Sequence, residues 1–167
     1  MPPIDIVESG LTFRFDDNLL FRPEQEPLIA RLHGVKKCDF VVCHNERTLS
    51  FIEVQNSAPS PTGDPRNVRA EMKECCDKFL HSLLLCFSHI CGRVRYETFP
   101  VPLSELRLAA MPIRFILLVP GFSSEGCMLL QSILQTSVTA LHRSFRRIEA
   151  FVVNRDNAHR KGIILVP

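Results

Sequence analysis

The chain has 167 residues, of which 46% are hydrophobic and 23% charged, and its net charge is +2. This length and composition predict one globular domain with a substantial core and leave little room for a second domain. The longest apolar run, residues 83–87, is far shorter than the roughly 20 residues that cross a bilayer, and no signal pattern opens the chain. We therefore expect a cytoplasmic protein, or a nuclear one in a eukaryote, without membrane contact.

Apolar periodicity alternates along the chain between the spacing of strands and that of helices. In chain order it predicts a strand at 11–15, a short helix at 24–32, a hairpin of strands 35–43 and 48–55, a long helix at 67–91, a strand at 113–119, a long helix from 123 or 124 to about 147, and strands at 148–153 and 163–166. Asn67 is the expected N-cap of the first long helix, and Gly92 is its expected stop. The order predicts an α/β domain whose mixed sheet is antiparallel at the hairpin and parallel beyond it.

Two acidic residues stand in otherwise apolar strands of the predicted hairpin. Asp39 lies within the run 38–42, and Glu53 lies within the run 51–55. A buried carboxylate is costly unless a cation or a strong donor compensates it, and two acids on paired strands suit a hard divalent cation. The alternative is that Asp39 is an edge residue or forms an ion pair with a nearby base such as Lys36 or Arg47.

The length of the hairpin loop decides whether the two acids meet. Because side chains alternate along a strand, Glu53 and Gln55 share one face of theirs. A two-residue turn at 45–46 would pair Asp39 with residue 52 and send the acids to opposite faces. A three-residue loop at 45–47, or a bulge, would pair Asp39 with Glu53. A shared metal site therefore predicts the longer loop or the bulge.

The hairpin with Asp39 and then Glu53-Val54-Gln55, followed by a helix, a strand and a helix, resembles the PD-(D/E)xK nuclease superfamily. The whole chain, 1–167, would be one such domain with its core at about 24–153. The resemblance implies a restriction-endonuclease-like sandwich, in which helices flank a mixed central sheet. It also implies a metal-dependent nuclease that hydrolyses phosphodiester bonds of DNA or RNA by attack of an activated water, with Mg²⁺ or Mn²⁺ as cofactor.

The resemblance assigns the metal ligands to individual residues. Asp39, Glu53 and the main-chain carbonyl of Val54 would hold the ion. In the family an acidic residue of the first helix often completes the site, which here points to Glu24 or Glu26. Glu26 is preferred, although a solvated position at the start of the helix explains either residue equally well.

The third motif position departs from the family. A lysine usually stands there to orient the attacking water and to stabilise developing negative charge, and Gln55 carries no charge. Some restriction endonucleases of the superfamily use glutamine at this position. In other members a lysine of the following helix takes over, which points to Lys73 or Lys78, unless both are exposed helix charges.

The basic residues suit a nucleic-acid partner, since arginines outnumber lysines about three to one and the guanidinium matches phosphate geometry. Non-specific phosphate contacts are expected from Arg143, Arg146, Arg147, Arg155 and Arg160, with a solvated basic face as the alternative. A chain of this size is compatible with action as a homodimer or within a larger protein assembly. The alternative function is a catalytically inactive module of the same fold, which serves nucleic-acid binding or protein assembly.

Overall fold

The structure is a computed structural model that describes residues 3–44, 48–106, 111–139, 141 and 147–166. Its strands are β1 (Pro3–Glu8), β2 (Leu11–Asp16), β3 (Leu20–Phe21), β4 (Phe40–His44), β5 (Thr48–Val54), β6 (Ile113–Leu118), β7 (Ile148–Val153) and β8 (Ile164–Val166). Its helices are α1 (Pro27–Ala30), α2 (Pro65–Ile90), α3 (Val101–Ser104), α4 (Ser124–Ser137) and α5 (Arg155–Ala158). Within the described ranges, no helix combines the length and the apolar character that crossing a membrane requires.

The central sheet has five strands in the order β3-β4-β5-β6-β7. The pairs β3-β4 and β4-β5 are antiparallel, whereas β5-β6 and β6-β7 are parallel. This confirms the predicted mixed sheet and the change of direction after the hairpin. A second, antiparallel sheet of three strands has the order β1-β2-β8, and its strand β1 was not predicted.

The two faces of the central sheet are covered by different kinds of structure. Helices α2 and α4 pack on one face, where the rings of Phe79 and Phe115 stack with centroids 5.0 Å apart. The three-stranded sheet packs on the other face, where the ring centroids of Phe13 and Phe40 lie 5.1 Å apart. The expectation of helices on both flanks therefore holds for one face, and a small sheet takes the place of helices on the other.

Helix α2 begins two residues earlier than its predicted start. The side chain of Asp64 accepts a hydrogen bond from the N–H of Arg66 at 2.8 Å, and Pro65 occupies the first helical position. Proline is favoured there because its missing N–H would have no partner within the helix. The helix ends before Gly92, whose φ of +68° is a left-handed conformation that suits glycine. Asp64, rather than Asn67, is thus the N-cap.

Helix α4 ends at Ser137 and does not run on to residue 147 as predicted. Near this end the hydroxyls of Thr136 and Ser137 donate to the carbonyls of Ser132 and Ile133. Such bonds, together with the low helix propensity of serine, threonine and valine, weaken the helix over 136–139. Residues 140 and 142–146 lie outside the described residues.

Strand β7 is an edge strand of the central sheet, and two glutamines of α4 contact its backbone. Gln135 Nε2 donates to the carbonyl of Ala150 at 3.4 Å, and the N–H of Val152 donates to Gln131 Oε1 at 3.3 Å. The glutamines are one helical turn apart and meet alternate residues of the strand. They occupy backbone groups that a neighbouring strand would use.

The predicted helix at 24–32 is a 3₁₀ turn at Pro23–Gln25 followed by the single turn α1. Glu26 separates the two and is 1% exposed. One carboxylate oxygen caps α1 by accepting from the N–H of Leu28, and the other accepts from the N–H and the hydroxyl of Thr98 at 2.9 and 2.7 Å. Burial raises the pKa of Glu26, but these hydrogen bonds outweigh it and leave the pKa below its usual value.

We expect Glu26→Gln to lower the free energy of unfolding by about 2 kcal/mol at neutral pH, because hydrogen bonds to a charged acceptor are lost. A carboxylate with a lowered pKa stabilises the fold above its unfolded pKa, and this stabilisation disappears as the pH falls through the folded pKa. The difference between the two proteins in urea unfolding should therefore shrink in acid. The exposed neighbour Glu97 supplies the control, Glu97→Gln, and an equal loss at neutral and acidic pH would contradict the prediction.

Candidate active site

The register of the hairpin brings Asp39 opposite Glu53. Strands β4 and β5 pair Phe40 with Ile52, so continuing the ladder by one residue places the two acids across from each other. Three residues, 45–47, separate the paired ends of the strands and lie outside the described residues. The spacing confirms the odd loop length that a shared site requires, and it excludes the two-residue turn.

Asp39 lies just before β4 with a half-buried side chain. Its Oδ2 accepts a hydrogen bond of 2.7 Å from the N–H of Val54, the residue that follows Glu53. Burial raises the pKa of Asp39 to about 6 in spite of this bond, and the charges of Glu8 and Glu24 act in the same direction. The carboxylate of Asp39 is therefore held against β5 by a hydrogen bond, and other acidic side chains lie near it.

Glu53 is 3% exposed and faces α2 from the middle of the central sheet. Its Oε1 accepts a hydrogen bond of 2.5 Å from Lys78 Nζ. Its Oε2 is buried and has no hydrogen-bond partner among the described residues. Burial, followed by the negative charge of Asp39, raises the pKa of Glu53 to about 8 against the lowering effect of Lys78. One oxygen of this buried carboxyl group is thus paired with an ammonium, and the other has no partner among the described residues.

Of the two candidate lysines of α2, Lys78 reaches the acid pair. It forms the ion pair with Glu53, while Lys73 is exposed on a different side of the helix. Burial lowers the pKa of Lys78, but the hydrogen bond and the charge of Glu53 raise it overall. Lys78 therefore remains a positively charged ammonium in the folded protein.

Gln55 shares the face of Glu53, as period-two alternation predicted, but α2 holds its amide. Its Nε2 donates to the carboxylate of Glu71, and its Oε1 accepts from the thiol of Cys75 at 3.5 Å. Burial raises the pKa of Cys75 to about 12, so this thiol keeps the proton that it donates. Gln55 thus joins β5 to the helix and brings no charge to the acids.

Within residues 23–30, the acidic residue whose charge affects Asp39 and Glu53 is Glu24. Its negative charge raises the pKa of both Asp39 and Glu53. Glu26, the preferred candidate from the sequence, has both carboxylate oxygens engaged in capping α1 and in holding the loop before α3. The structure therefore gives Glu26 a role in the fold and leaves Glu24 as the additional acid near the site.

Two charged residues near the acids were missed in the sequence. Glu8 raises the pKa of Asp39, and Arg22 Nη2 donates to Glu8 Oε2 at 3.5 Å. Glu8 ends β1, which was not predicted as a strand. The alternation Ile4-Asp5-Ile6, with β-branched residues up to Val7 and the Ser9-Gly10 turn before β2, is a hairpin pattern that would have found it.

The predicted phosphate-binding arginines that the structure describes, Arg147, Arg155 and Arg160, do not all lie on one surface beside the acids. Arg147 precedes β7 and Arg155 follows it, so six strand residues, about 20 Å in length, separate them. Because β5 and β7 run in the same direction, Arg155 lies at the edge of the sheet where β5 ends, and Arg147 lies at the opposite edge. Arg160 is exposed in the last 3₁₀ turn, while Arg143 and Arg146 lie outside the described residues.

In the described part of the chain, no group of three or more His, Cys, Asp or Glu side chains is arranged to hold a metal ion. Two carboxylates and a main-chain carbonyl form a smaller donor set, which leaves further positions around a cation for water or phosphate. No family model, curated protein or solved structure matches this chain. Function must therefore be inferred from the chemistry of the site.

We expect Lys78→Met to cost little stability near pH 6 and about 2 kcal/mol near pH 9. The folded pKa of Glu53 lies above its unfolded value, so the folded state binds the extra proton and loses stability as the pH rises through that range. Removing the ammonium raises this pKa further and extends the loss to higher pH. Urea unfolding across this pH range measures the effect.

Two variants control this measurement. Glu53→Gln removes the titrating carboxyl, so adding Lys78→Met to it should cost less than Lys78→Met alone near pH 9. Lys73→Met, on the exposed side of α2, should stay within about 0.5 kcal/mol of wild type throughout. Additive costs in the double variant would show that Lys78 and Glu53 are not coupled.

Proposed function

We propose that the chain is a metal-dependent nuclease of the PD-(D/E)xK type, which hydrolyses phosphodiester bonds in DNA or RNA by attack of an activated water. The observation that carries this proposal is Glu53 Oε2, a buried carboxylate oxygen without a hydrogen-bond partner among the described residues. An unsatisfied polar atom is costly in a folded protein unless a ligand uses it. A cation held jointly by Glu53 and Asp39 would satisfy this atom.

The donor set fits a hard divalent cation such as Mg²⁺ or Mn²⁺, which prefers oxygen ligands. Asp39 and Glu53 provide carboxylates, and the N–H of Val54 donates to Asp39. Because the N–H and C=O of a strand residue point to the same side, the carbonyl of Val54 is a third oxygen facing this position. Mg²⁺ commonly binds through one or two carboxylates and keeps several waters, which agrees with a site of two acids.

The side chains around this position suit phosphodiester hydrolysis. A bound cation supplies polarisation of the scissile phosphate and a lower pKa of the attacking water. Lys78 contributes the positive charge that Gln55 lacks. Its ammonium lies 2.5 Å from Glu53 Oε1 and would stabilise negative charge that develops at a phosphate bound beside the acids. The hydrogen bond from Val54 holds Asp39 in one orientation, so the acid pair is organised before a ligand arrives.

The order of elements supports a restriction-endonuclease-like fold. The hairpin β4-β5, the helix α2, the strand β6, the helix α4 and the strand β7 follow one another as the family resemblance implied. Two features are particular to this chain. The first helix is reduced to the single turn α1, and a three-stranded sheet covers the face of the central sheet that is opposite α2 and α4.

A non-catalytic module is the second candidate, and the ion pair of Lys78 with Glu53 is the observation that favours it. An internal ammonium already compensates the buried acid, so the pair can persist without a metal ion. Gln55 is neutral and is held by Glu71. In this alternative the fold serves nucleic-acid binding or protein assembly, and exposed arginines such as Arg155 provide the charge.

Cleavage assays distinguish the two candidates. The purified protein should cleave single- or double-stranded DNA or RNA with Mg²⁺ or Mn²⁺, and both Asp39→Ala and Glu53→Ala should abolish cleavage. Lys78→Ala should lower the rate by about 10²–10³-fold, because it removes a charge that stabilises the transition state. Lys73→Ala is the matched control on the same helix and should keep the wild-type rate. Cleavage at the wild-type rate in folded Glu53→Ala would contradict the site.

Metal binding gives a second measurement that does not require activity. Mn²⁺ should bind the wild-type protein in calorimetric titration and raise its Tm, and Asp39→Asn or Glu53→Gln should weaken binding by more than about tenfold. Binding should be weaker near pH 6 than near pH 8, since protons compete for the two carboxylates. A folded wild-type protein that binds no divalent cation would favour the non-catalytic module.

A further inference from the structure

A cavity of about 520 Å³ opens beside the loop that follows β5. Two loops form its walls, residues 58–62 after β5 and residues 121–129 after β6 and into α4. The volume lies within the roughly 300–1,000 Å³ that is typical of small-molecule sites. None of the residues assigned to the acid site lines this cavity, so it is a separate feature of the molecule.

The lining combines an aromatic wall with hydroxyl groups. Phe122 and Leu129 provide apolar surface, while Ser60, Thr62 and Ser123 provide hydroxyls and Glu125 a carboxylate. This combination suits a ligand that is a flat ring with polar groups around its edge. The face of such a ring stacks on an aromatic side chain, and its polar edge makes hydrogen bonds. The lining therefore matches a nucleobase better than it matches a purely apolar ligand.

Hydrogen bonds fix the wall that carries Phe122. Its N–H donates to the carbonyl of Val119 at 3.2 Å, and its carbonyl accepts from Asn154 Nδ2 at 3.1 Å. Asn157 Nδ2 donates to Ser124 Oγ at 3.2 Å and so ties α5 to the start of α4. The aromatic wall is thus held by the ends of two parallel strands and is formed before a ligand binds.

The cavity and the acid site lie at the same edge of the central sheet. Glu53 is next to the last residue of β5, and the cavity wall begins at Ala58, four residues after that strand ends. The other wall follows the end of β6, which runs parallel to β5. Arg155, the first residue of α5, is exposed at this edge as well. A nucleic-acid chain that crosses this edge of the sheet would therefore contact the two acids, the cavity and the guanidinium of Arg155.

We propose that this cavity binds one base of a single-stranded nucleic acid whose backbone passes the site of Asp39 and Glu53. The inference rests on the proposed function, because it names the substrate as a single strand. A base that is paired and stacked in a duplex has no free face to stack on Phe122, whereas a base of a single strand does. Stacking on Phe122 is open to all four bases, so recognition is tolerant of sequence.

Filling the cavity tests the proposal. A Cβ at Gly121 would lie in open space, and this glycine has no positive φ, so Gly121→Trp places a ring in the cavity without a clash at the backbone. Leu129→Trp fills the cavity from the other end of the same wall, within α4. Met128 is exposed on the same helix but does not line the cavity, which makes Met128→Trp the matched control. Circular dichroism and thermal unfolding establish that each variant folds.

Fluorescence anisotropy with a labelled single-stranded oligonucleotide of mixed sequence measures binding, in EDTA so that no divalent cation supports cleavage. DNA and RNA versions are both titrated. Gly121→Trp and Leu129→Trp should raise the Kd about tenfold, the change expected when one base contact is lost, and Met128→Trp should bind as wild type. A blunt duplex of the same sequence should bind more weakly than the single strand. An oligonucleotide with 5-iodouracil should crosslink to residues 58–62 or 121–129.

The outcomes separate this inference from the nuclease assignment. If the protein cleaves with Mg²⁺ but both filling variants bind like wild type, the cavity proposal is overturned and the nuclease remains. If binding depends on the cavity but no metal supports cleavage, the base site is supported and the nuclease assignment fails. Equal binding of duplex and single strand, or no binding of either, overturns the proposal.

Discussion

A carboxylate placed where water cannot reach it is the constraint on which this molecule depends. Glu53 belongs to β5, which has a strand on each side and α2 above it, so its charge must be compensated from within the fold. Lys78 supplies that compensation on one oxygen and Asp39 increases the need for it. Under the proposed function the same arrangement would accommodate a cation, so stability and function would compete for one side chain.

The order of elements from the hairpin to β7, and the condition under which the two acids meet, could be predicted from the sequence. Both depend on short-range periodicity: alternation along β4 and β5, helical spacing in α2, and the parity of one loop. Parity is a strict condition because a slip of one residue moves every side chain to the other face. The sequence therefore left two registers open, and the pairing of Phe40 with Ile52 selects the one that brings Asp39 opposite Glu53.

Features that depend on distant parts of the chain could not be predicted in this way. Glu24 and Glu26 are two residues apart, and the break at Pro27 together with Thr98, more than seventy positions away, decides which of them is buried in the fold. Which of Lys73 and Lys78 reaches Glu53 depends on which side of α2 packs over the last residues of β5. The cover of the second face required β8 to return to β2, a pairing of the two ends of the chain.

The glutamines that contact β7 have a consequence for association between molecules. An edge strand with unpaired backbone groups can pair with a strand of another chain. The two edge strands of this sheet, β3 and β7, are both poorly suited to such pairing. On one side Gln131 and Gln135 already hold the groups of Val152 and Ala150, and on the other side β3 is two residues long. A partner that extends the sheet at β7 must first displace side-chain amides, so self-assembly at this edge is discouraged while the loops that follow β5 and β6 stay accessible.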